Sequence, residues 1–333
     1  MSPKTKIPIL SLFSGCGGFD LGFEQAGFDV KLALDISKAA VNSYNFNRKS
    51  TRAAEVDIST ISGSELKALL HGAAIKGVIG GAPCQSFSNG NVHKRDDDER
   101  STLPGKFASL LRHLNKDDEV DFFVFENVQG INSFRHEETF SRFKEAFRRA
   151  GFRLYEHVLD AQHFGVPQVR PRVFVVGINK KNFSDRPFNF PVGQFDEPNT
   201  VASAIRGLAD PLFFKRGIIP EDIPVHPNHW TMMPKSAKFT DGSLVQGASW
   251  GRSFRVLSWD KPSWTVAYGN REIHIHPSGK RRLSVFEAML LQGFPQSYRL
   301  LGTLSQQIRQ VSDCIPMQVG FALAESIRTS IYR

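Results

Sequence analysis

The sequence predicts an α/β protein: a doubly wound, mostly parallel sheet with a second, smaller domain rich in loops and strands. Three observations carry this. Over the first half of the 333 residues, short apolar runs alternate with amphipathic ones, the pattern of a parallel sheet covered by helices on both faces. Beyond residue 180 helical spacing fades, and eight prolines fall between Phe183 and Pro234. Helical spacing then returns at LSVFEAMLLQGF. Domains are accordingly drawn at 1–178 and 179–283, with 284–333 returning to the first.

The strand-like runs are IPILSLF (7–13), DVKLALD (29–35), GVIGG (77–81), DFFVFEN (121–127), YEHVLDA (155–161) and RVFVVGI (172–178). Between them, FDLGFEQAG, KAAVNSYNF, SELKALLHG and FSRFKEAFRRAG carry apolar residues at helical spacing. Gly27 is placed to cap the first helix. In the second domain SFRVLSW, SWTVAYG and REIHIHP read as strands. MQVGFALAESIR reads as a helix near the end, and HKRDDDER (93–100) as a solvated loop.

Lys and Arg number 42 against 33 Asp and Glu, a formal net charge of +9. That excess suits a polyanionic partner. The three cysteines, Cys16, Cys84 and Cys314, are widely spaced with no CxxC pair. This argues against a disulfide scaffold and a structural zinc site, and for a reducing compartment. The first 15 residues lack the length and flanks of a signal peptide. No segment approaches the roughly 18 apolar residues of a membrane span. The expectation is a soluble, intracellular protein.

Chemistry-bearing motifs cluster at predicted strand ends. FSGCGGFDLG follows the first strand; glycines at a strand-to-helix turn let a ligand approach the backbone. Asp20 stands where a dinucleotide fingerprint needs glycine, which disfavours a nicotinamide cofactor. Asp35 ends the second strand, where a carboxylate can hold ribose hydroxyls, and Asp57 is placed near an adenine ring. GGAPCQSFS puts Cys84 after a short strand, in polar surroundings suited to a nucleophile. DFFVFENVQG brings Glu126 and Asn127 to the same edge, giving a nucleophile-plus-acid constellation. FGVPQVRPRVFVVGI offers Gln168, Arg170 and Arg172; alternation projects the two arginines to one face. His274 and His276 lack the acids or cysteines of a metal site and read as surface or hydrogen-bonding groups. Lys280, Arg281 and Arg282 read as a phosphate patch or a solvated end.

Together these segments resemble the cytosine-5 DNA methyltransferase family of bacterial restriction–modification systems. LFSGCGGFDLGFEQAGF, GGAPCQSFS, FENV, QVRPR, RRLSVFEAMLLQGFP and QVSDCIPMQVGFALAESI follow in the family's order over nearly the whole chain. One departure is Ser312-Asp313, where the family usually reads Gly-Asn. The resemblance implies a Rossmann-like fold that uses S-adenosyl-L-methionine. It implies cofactor contacts from Phe13, Gly15, Cys16, Gly17, Gly18, Asp35, Ile36, Asp57, Ile58, Leu103 and Asp313.

The resemblance further implies Cys84 attack at carbon 6 of a flipped cytosine, with Glu126 at N3 and the exocyclic amine. Arg172 falls on the carbon-2 carbonyl and Arg170 supports the loop. Substrate contacts fall to Gln85, Ser86, Ser88, Asn127, Gln168, Arg255 and Arg271, and segment 86–105 forms a lid. The smaller domain carries target recognition, with DNA in the cleft between domains. The implied protein is a monomeric, cytoplasmic, nucleoid-associated enzyme. Its partners are double-stranded DNA and a cognate restriction endonuclease acting on the same site. Competing readings are a tRNA cytosine-5 methyltransferase on the same scaffold and a catalytically silent DNA-binding relative. The long segment between QVRPR and RRLSV favours DNA, and intact Cys84, Glu126, Arg170 and Arg172 favour an enzyme.

Overall fold

The computed structural model describes residues 6–49, 53–83, 103–116, 119–194, 197–250, 254–265 and 274–332, without the side chains of Arg135 and Trp250. Contacts divide the chain into two compact units. The first comprises 1–159, 171–192 and 319–333; the second comprises 160–170 and 193–318.

The first unit holds a seven-stranded sheet. Its strands are β1 (Ile7–Leu12), β2 (Phe28–Asp35), β3 (Ala53–Glu55), β4 (Gly77–Gly81), β5 (Phe122–Val128), β6 (Phe152–Asp160) and β7 (Pro171–Asn179). The order is β3-β2-β1-β4-β5-β7-β6. Pairings among β1 to β5 are parallel, and β7 runs antiparallel to β5. The helices are α1 (Gly18–Gln25), α2 (Lys38–Phe46), α3 (Gly63–Leu69), α4 (Leu103–Leu114) and α5 (Glu137–Arg149). The doubly wound sheet expected from the sequence is therefore present. The helix α4 includes Leu103–Gly105, so the end of the expected lid (86–105) is helical; its remaining residues, 86–102, lie outside the described ones, as does HKRDDDER.

Central strands are apolar on both faces: Leu10, Val78, Val124 and Phe125 have no exposed surface. A group of aromatic rings fills one face. Phe147 of α5 lies 4.6 Å from Phe123 and 5.6 Å from Phe125, and Phe107 of α4 lies 5.5 Å from Phe125.

The second unit carries α6 (Val201–Ile205), α7 (Val285–Leu291) and α8 (Leu304–Asp313). Its described sheets are short: β8 (Leu212–Phe213) with β9 (Trp230–Thr231), and β10 (Ser249–Trp250) with β11 (Phe254–Arg255). Of the strand-like pieces SFRVLSW and REIHIHP, β11 covers Phe254–Arg255 and isolated bridges fall at Val256 and Ile275, while residues 253 and 271–273 lie outside the described ones. A turn follows SFRVLSW at Trp259–Asp260. The last helix, α9 (Met317–Ile331), belongs to the first unit from Val319 onward.

Residues 284–318 group with the second unit, whereas the sequence-based division returned them to the first domain. The reason is a buried polar hub. The Asn228 amide donates to Leu300 O at 2.8 Å and to Gln307 at 3.0 Å, and its side-chain oxygen accepts from Leu300 N at 2.9 Å. His229 Nδ1 meets Ser284 Oγ at 2.9 Å.

Arg281, expected in a phosphate patch or a solvated end, is buried. Its two terminal nitrogens donate to Glu287, each at 2.9 Å, and Nε reaches Asp210 at 3.1 Å. His274 is also buried, and its Nε2–H donates to Thr265 O. Among the described residues no group of His, Cys, Asp and Glu could hold a metal ion.

Two predictions follow from this packing. Phe123→Ala removes a fully buried ring from the aromatic group and should cost about 3–5 kcal/mol, read as a lowered urea midpoint. The second concerns pH. Burial pushes His274 down from 6.5 to about 4, and the neighbouring Arg255 charge adds to this. The neutral ring's contribution is therefore complete above pH 6.5 and is lost as pH falls from there toward 4. By pH 5 His274 alone should account for about 2 kcal/mol. Urea unfolding at pH 7.5 and 5.0 tests this, since His274→Gln should lose that much less than the parent.

Candidate active site

The strand order reverses between β1 and β4, so connections leave to opposite faces and a crevice opens at the strands' carboxyl ends. The loop after β1 enters it. Phe13 there adopts φ +55°, a left-handed conformation costing about 1–2 kcal/mol for a side-chain-bearing residue. Such strain collects at functional loops. Ser14 N donates to Leu34 O at 3.0 Å. Gly15 N donates to Asp35 Oδ2 and Ser37 N to Asp35 Oδ1, each at 2.8 Å. Asp35 thus ties the glycine loop to the start of α2. A carboxylate can accept about four hydrogen bonds, and these amides use one on each oxygen.

The loop fits an adenosine-bearing cofactor. The buried Ser14 Oγ makes no hydrogen bond among the described residues. A Cβ on Gly15, at φ +55°, would meet nothing within 4 Å. Together these offer an orphaned polar atom beside an open face of backbone. Ile36, 66% exposed, follows Asp35. Asp57 is exposed, and its Oδ1 accepts from Ser59 N at 2.8 Å. Gly17 and Gly18 sit at the start of α1. Cys16, Ile58 and Leu103 are buried. Asp313 ends α8 in the second unit, exposed and paired with Arg309 at 3.3 Å.

A second group forms along β4, β5 and β7. Strand register sets Gly81 opposite Glu126, and Val128 opposite Arg172. Arg172 Nε meets Glu126 Oε1 at 3.1 Å, with both side chains largely shielded. Asn127 is 1% exposed; its amide donates to Ala82 O at 3.4 Å and its oxygen accepts from Val128 N at 2.9 Å. It therefore braces the segment that leads from β4 to Cys84. Cys84 itself, with Gln85, Ser86 and Ser88, lies outside the described residues.

The two arginines of QVRPR make separate contacts. Arg172 pairs with Glu126, whereas Arg170, buried in the second unit, donates to Ser312 O at 2.9 Å. Pro171 opens β7, so regular alternation starts only after Arg170. Gln168 is fully buried and donates to Gln292 Oε1 at 2.8 Å. Arg255 lies on β11 near the Trp264 ring, 5.9 Å from its centroid; Arg271 lies outside the described residues.

Sequence reasoning missed the groups beneath the glycine loop. Asp20 was noted only for breaking a fingerprint, yet it is fully buried and accepts from Ser11 Oγ and Tyr44 Oη, each at 2.8 Å. Arg48, two residues past α2, was not singled out; its partner Gly17 is 31 positions away.

The model of the family described as C-5 cytosine-specific DNA methylase matches residues 7–329. The chain is 30% identical to the Type II methyltransferase M.FnuDI of Fusobacterium nucleatum, over 97% of this chain and 94% of that protein. It is 31% identical to the Type II methyltransferase M1.HphI of Haemophilus parahaemolyticus, over 96% of this chain and 86% of that protein. Among solved structures, a prophage-encoded protein of E. coli described as a DNA modification methyltransferase superposes with TM-score 0.82. It is 23% identical and covers 98% of this chain and 100% of its own. The S. pombe Dnmt2 methyltransferase superposes with TM-score 0.67 at 18% identity, covering 98% and 99%. These two likenesses show the fold. The family match across almost the whole length shows that this chain belongs to the C-5 cytosine-specific DNA methylases.

Proposed function

We propose that this enzyme transfers the methyl group of S-adenosylmethionine to carbon 5 of cytosine within a specific duplex DNA sequence. The base is turned out of the helix, and Cys84 bonds transiently to carbon 6. The observation that carries this is the shielded Glu126–Arg172 pair, held by strand register beside the strand that leads to Cys84. A carboxyl group and a guanidinium at that spacing match the N3, exocyclic amine and carbon-2 carbonyl edge of one cytosine.

When bound, the cofactor supplies an electrophilic methyl group on a sulfonium sulfur. The protein must make carbon 5 nucleophilic. A thiol with an ordinary pKa of about 8.5 reacts as thiolate; its addition at carbon 6 pushes electron density to carbon 5. Glu126 supplies the proton or hydrogen bond at N3 that absorbs the charge, and Arg172 holds the carbonyl oxygen. Once carbon 5 carries the methyl group, its proton passes to solvent, and the electron pair left behind expels the Cys84 thiolate and restores the ring. Turning the base out costs a few kcal/mol, which DNA contacts must offset. Asn127 and Gln168 support these loops, with Arg170 bracing the second unit's chain at Ser312.

Asp35 takes the ribose hydroxyls, Ile36 and Asp57 the adenine, and the Gly15–Gly18 turn the remainder of the cofactor. Asp313, in place of the family's usual Asn, can accept but not donate at that contact. The relatives' Type II naming supports a role in a restriction–modification pair. No described helix is long and apolar enough to cross a membrane. A monomer acting on DNA in the cytoplasm, with the second unit reading sequence, is part of the same proposal.

Two tests follow. Cys84→Ala should abolish methyl transfer while cofactor and DNA binding persist. Cognate DNA carrying 5-fluorocytosine should trap the parent enzyme in a denaturation-resistant complex, because fluorine cannot leave as a proton does. A parent enzyme that methylates DNA but forms no such complex would remove the covalent step. Asp35→Ala should weaken S-adenosylhomocysteine binding about 10- to 100-fold by calorimetry, the value of a charge-assisted hydrogen bond. DNA affinity should change little, and unchanged cofactor affinity would take Asp35 out of the site.

A further inference from the structure

We propose that Arg48 is a positioning residue for the cofactor loop. Held by Glu24 and the Tyr44 ring, it grips the Gly17 carbonyl and keeps the turn in its binding shape while Asp20 beneath it is ionised. This rests on the cofactor reading above. Arg48 is committed in three directions. Its Nε donates to both Glu24 oxygens, at 3.1 and 3.3 Å. One terminal nitrogen donates to Gly17 O at 2.7 Å. The guanidinium carbon lies 3.8 Å from the Tyr44 ring centroid. The fit leaves no slack: Gly17 has φ +88°, and a Cβ there would fall 2.6 Å from both Arg48 Nη1 and the Tyr44 ring. The turn is therefore shaped against this clamp, rather than by its own sequence alone.

Below the clamp, Ser11 of β1 and Tyr44 of α2 donate to the two oxygens of Asp20, in the first turn of α1. One buried carboxylate thus joins the strand before the loop, the helix after it and the helix that leads to the clamp. The titratable and charged groups facing Asp20 are Tyr44 and Arg48 from the α2 side and Glu24 from its own helix. Burial pushes Asp20 up to about 6, against the opposing pull of Arg48 and the two hydroxyl donors. Ionised, Asp20 receives both donors and supplies Arg48 with countercharge. Protonated, one of its oxygens becomes a donor, one hydroxyl must reverse, and Arg48 loses that countercharge. The clamp is therefore complete above pH 6 and weakens as pH falls through it.

Calorimetry of the full chain with S-adenosylhomocysteine between pH 5.5 and 8 tests this, alongside thermal melts and DNA gel shifts. Arg48→Ala should raise the dissociation constant about tenfold, the value of a lost hydrogen bond to a charged group, with DNA affinity unchanged. Arg48→Lys should recover part of the loss, since it keeps the charge without the planar fork. Parent affinity should fall below pH 6, and Asp20→Asn should flatten that profile. Arg48→Ala within twofold of the parent, or a lysine variant no better than alanine, overturns the proposal, as does a parent affinity indifferent to pH. If Arg48→Ala fails to fold, Glu24→Gln serves instead: weaker binding supports the clamp and unchanged binding overturns it. A parent that binds no S-adenosylhomocysteine refutes the cofactor reading itself, which is a different result from a parent that binds and variants that bind equally.

Discussion

Burial of the central strands on both faces is the constraint from which the rest follows. Leu10, Val78, Val124 and Phe125 have no exposed surface, so a polar side chain within these strands must find an internal partner. Ser11 does so through Asp20. Most other polar chemistry is displaced to the strand ends, where Asp35, Glu126 and Asn127 stand. Parallel pairing from β3 to β5 makes those ends coincide, and the reversal of order between β1 and β4 opens the edge they share. The antiparallel β7 then contributes from its beginning instead of its end, which is why Arg172 meets Glu126.

Much of this was legible because it was local. GVIGG and KAAVNSYNF coincide with β4 and α2, since apolar period and flanking turn residues agree there. Segments with weaker local signals were missed. The strand β3 is only Ala53–Glu55 and has no apolar run. The helix α4 opens Leu-Pro-Gly, which reads as a breaker although proline is tolerated in a first turn. The helix α8 did carry a signal: Thr303 and Gln306 form a capping box, the Thr-x-x-Gln spacing that marks a helix start.

Site residues divide in the same way. Motifs contiguous in sequence, such as FENV and the glycine loop, were recognisable before any coordinates. Contacts between distant segments were not. Nothing around Arg48 announces that its guanidinium reaches Gly17, and the tract Lys280-Arg281-Arg282 looks uniformly basic until Glu287, one turn into the next helix, claims Arg281. The charge of a residue is visible in sequence, whereas its partner is settled by tertiary packing.

The first unit is assembled from three separate stretches of chain, and that has a consequence for how the protein comes into being. Tyr332, at the far end of α9, stacks edge-on with Phe28 and Phe122 and donates to Asp121 at 3.0 Å. The Arg186 guanidinium donates to Ile331 O at 2.9 Å. During synthesis Phe28 and Phe122, already packed with Phe23, lack this further partner until residues 319–333 follow. The second unit, 160–170 and 193–318, is wholly translated before residues 319–333. Long-range closure of this kind slows folding and prolongs exposure of apolar surface. The unit whose translation begins first thus receives its third stretch only after the residues of the second unit have all been made.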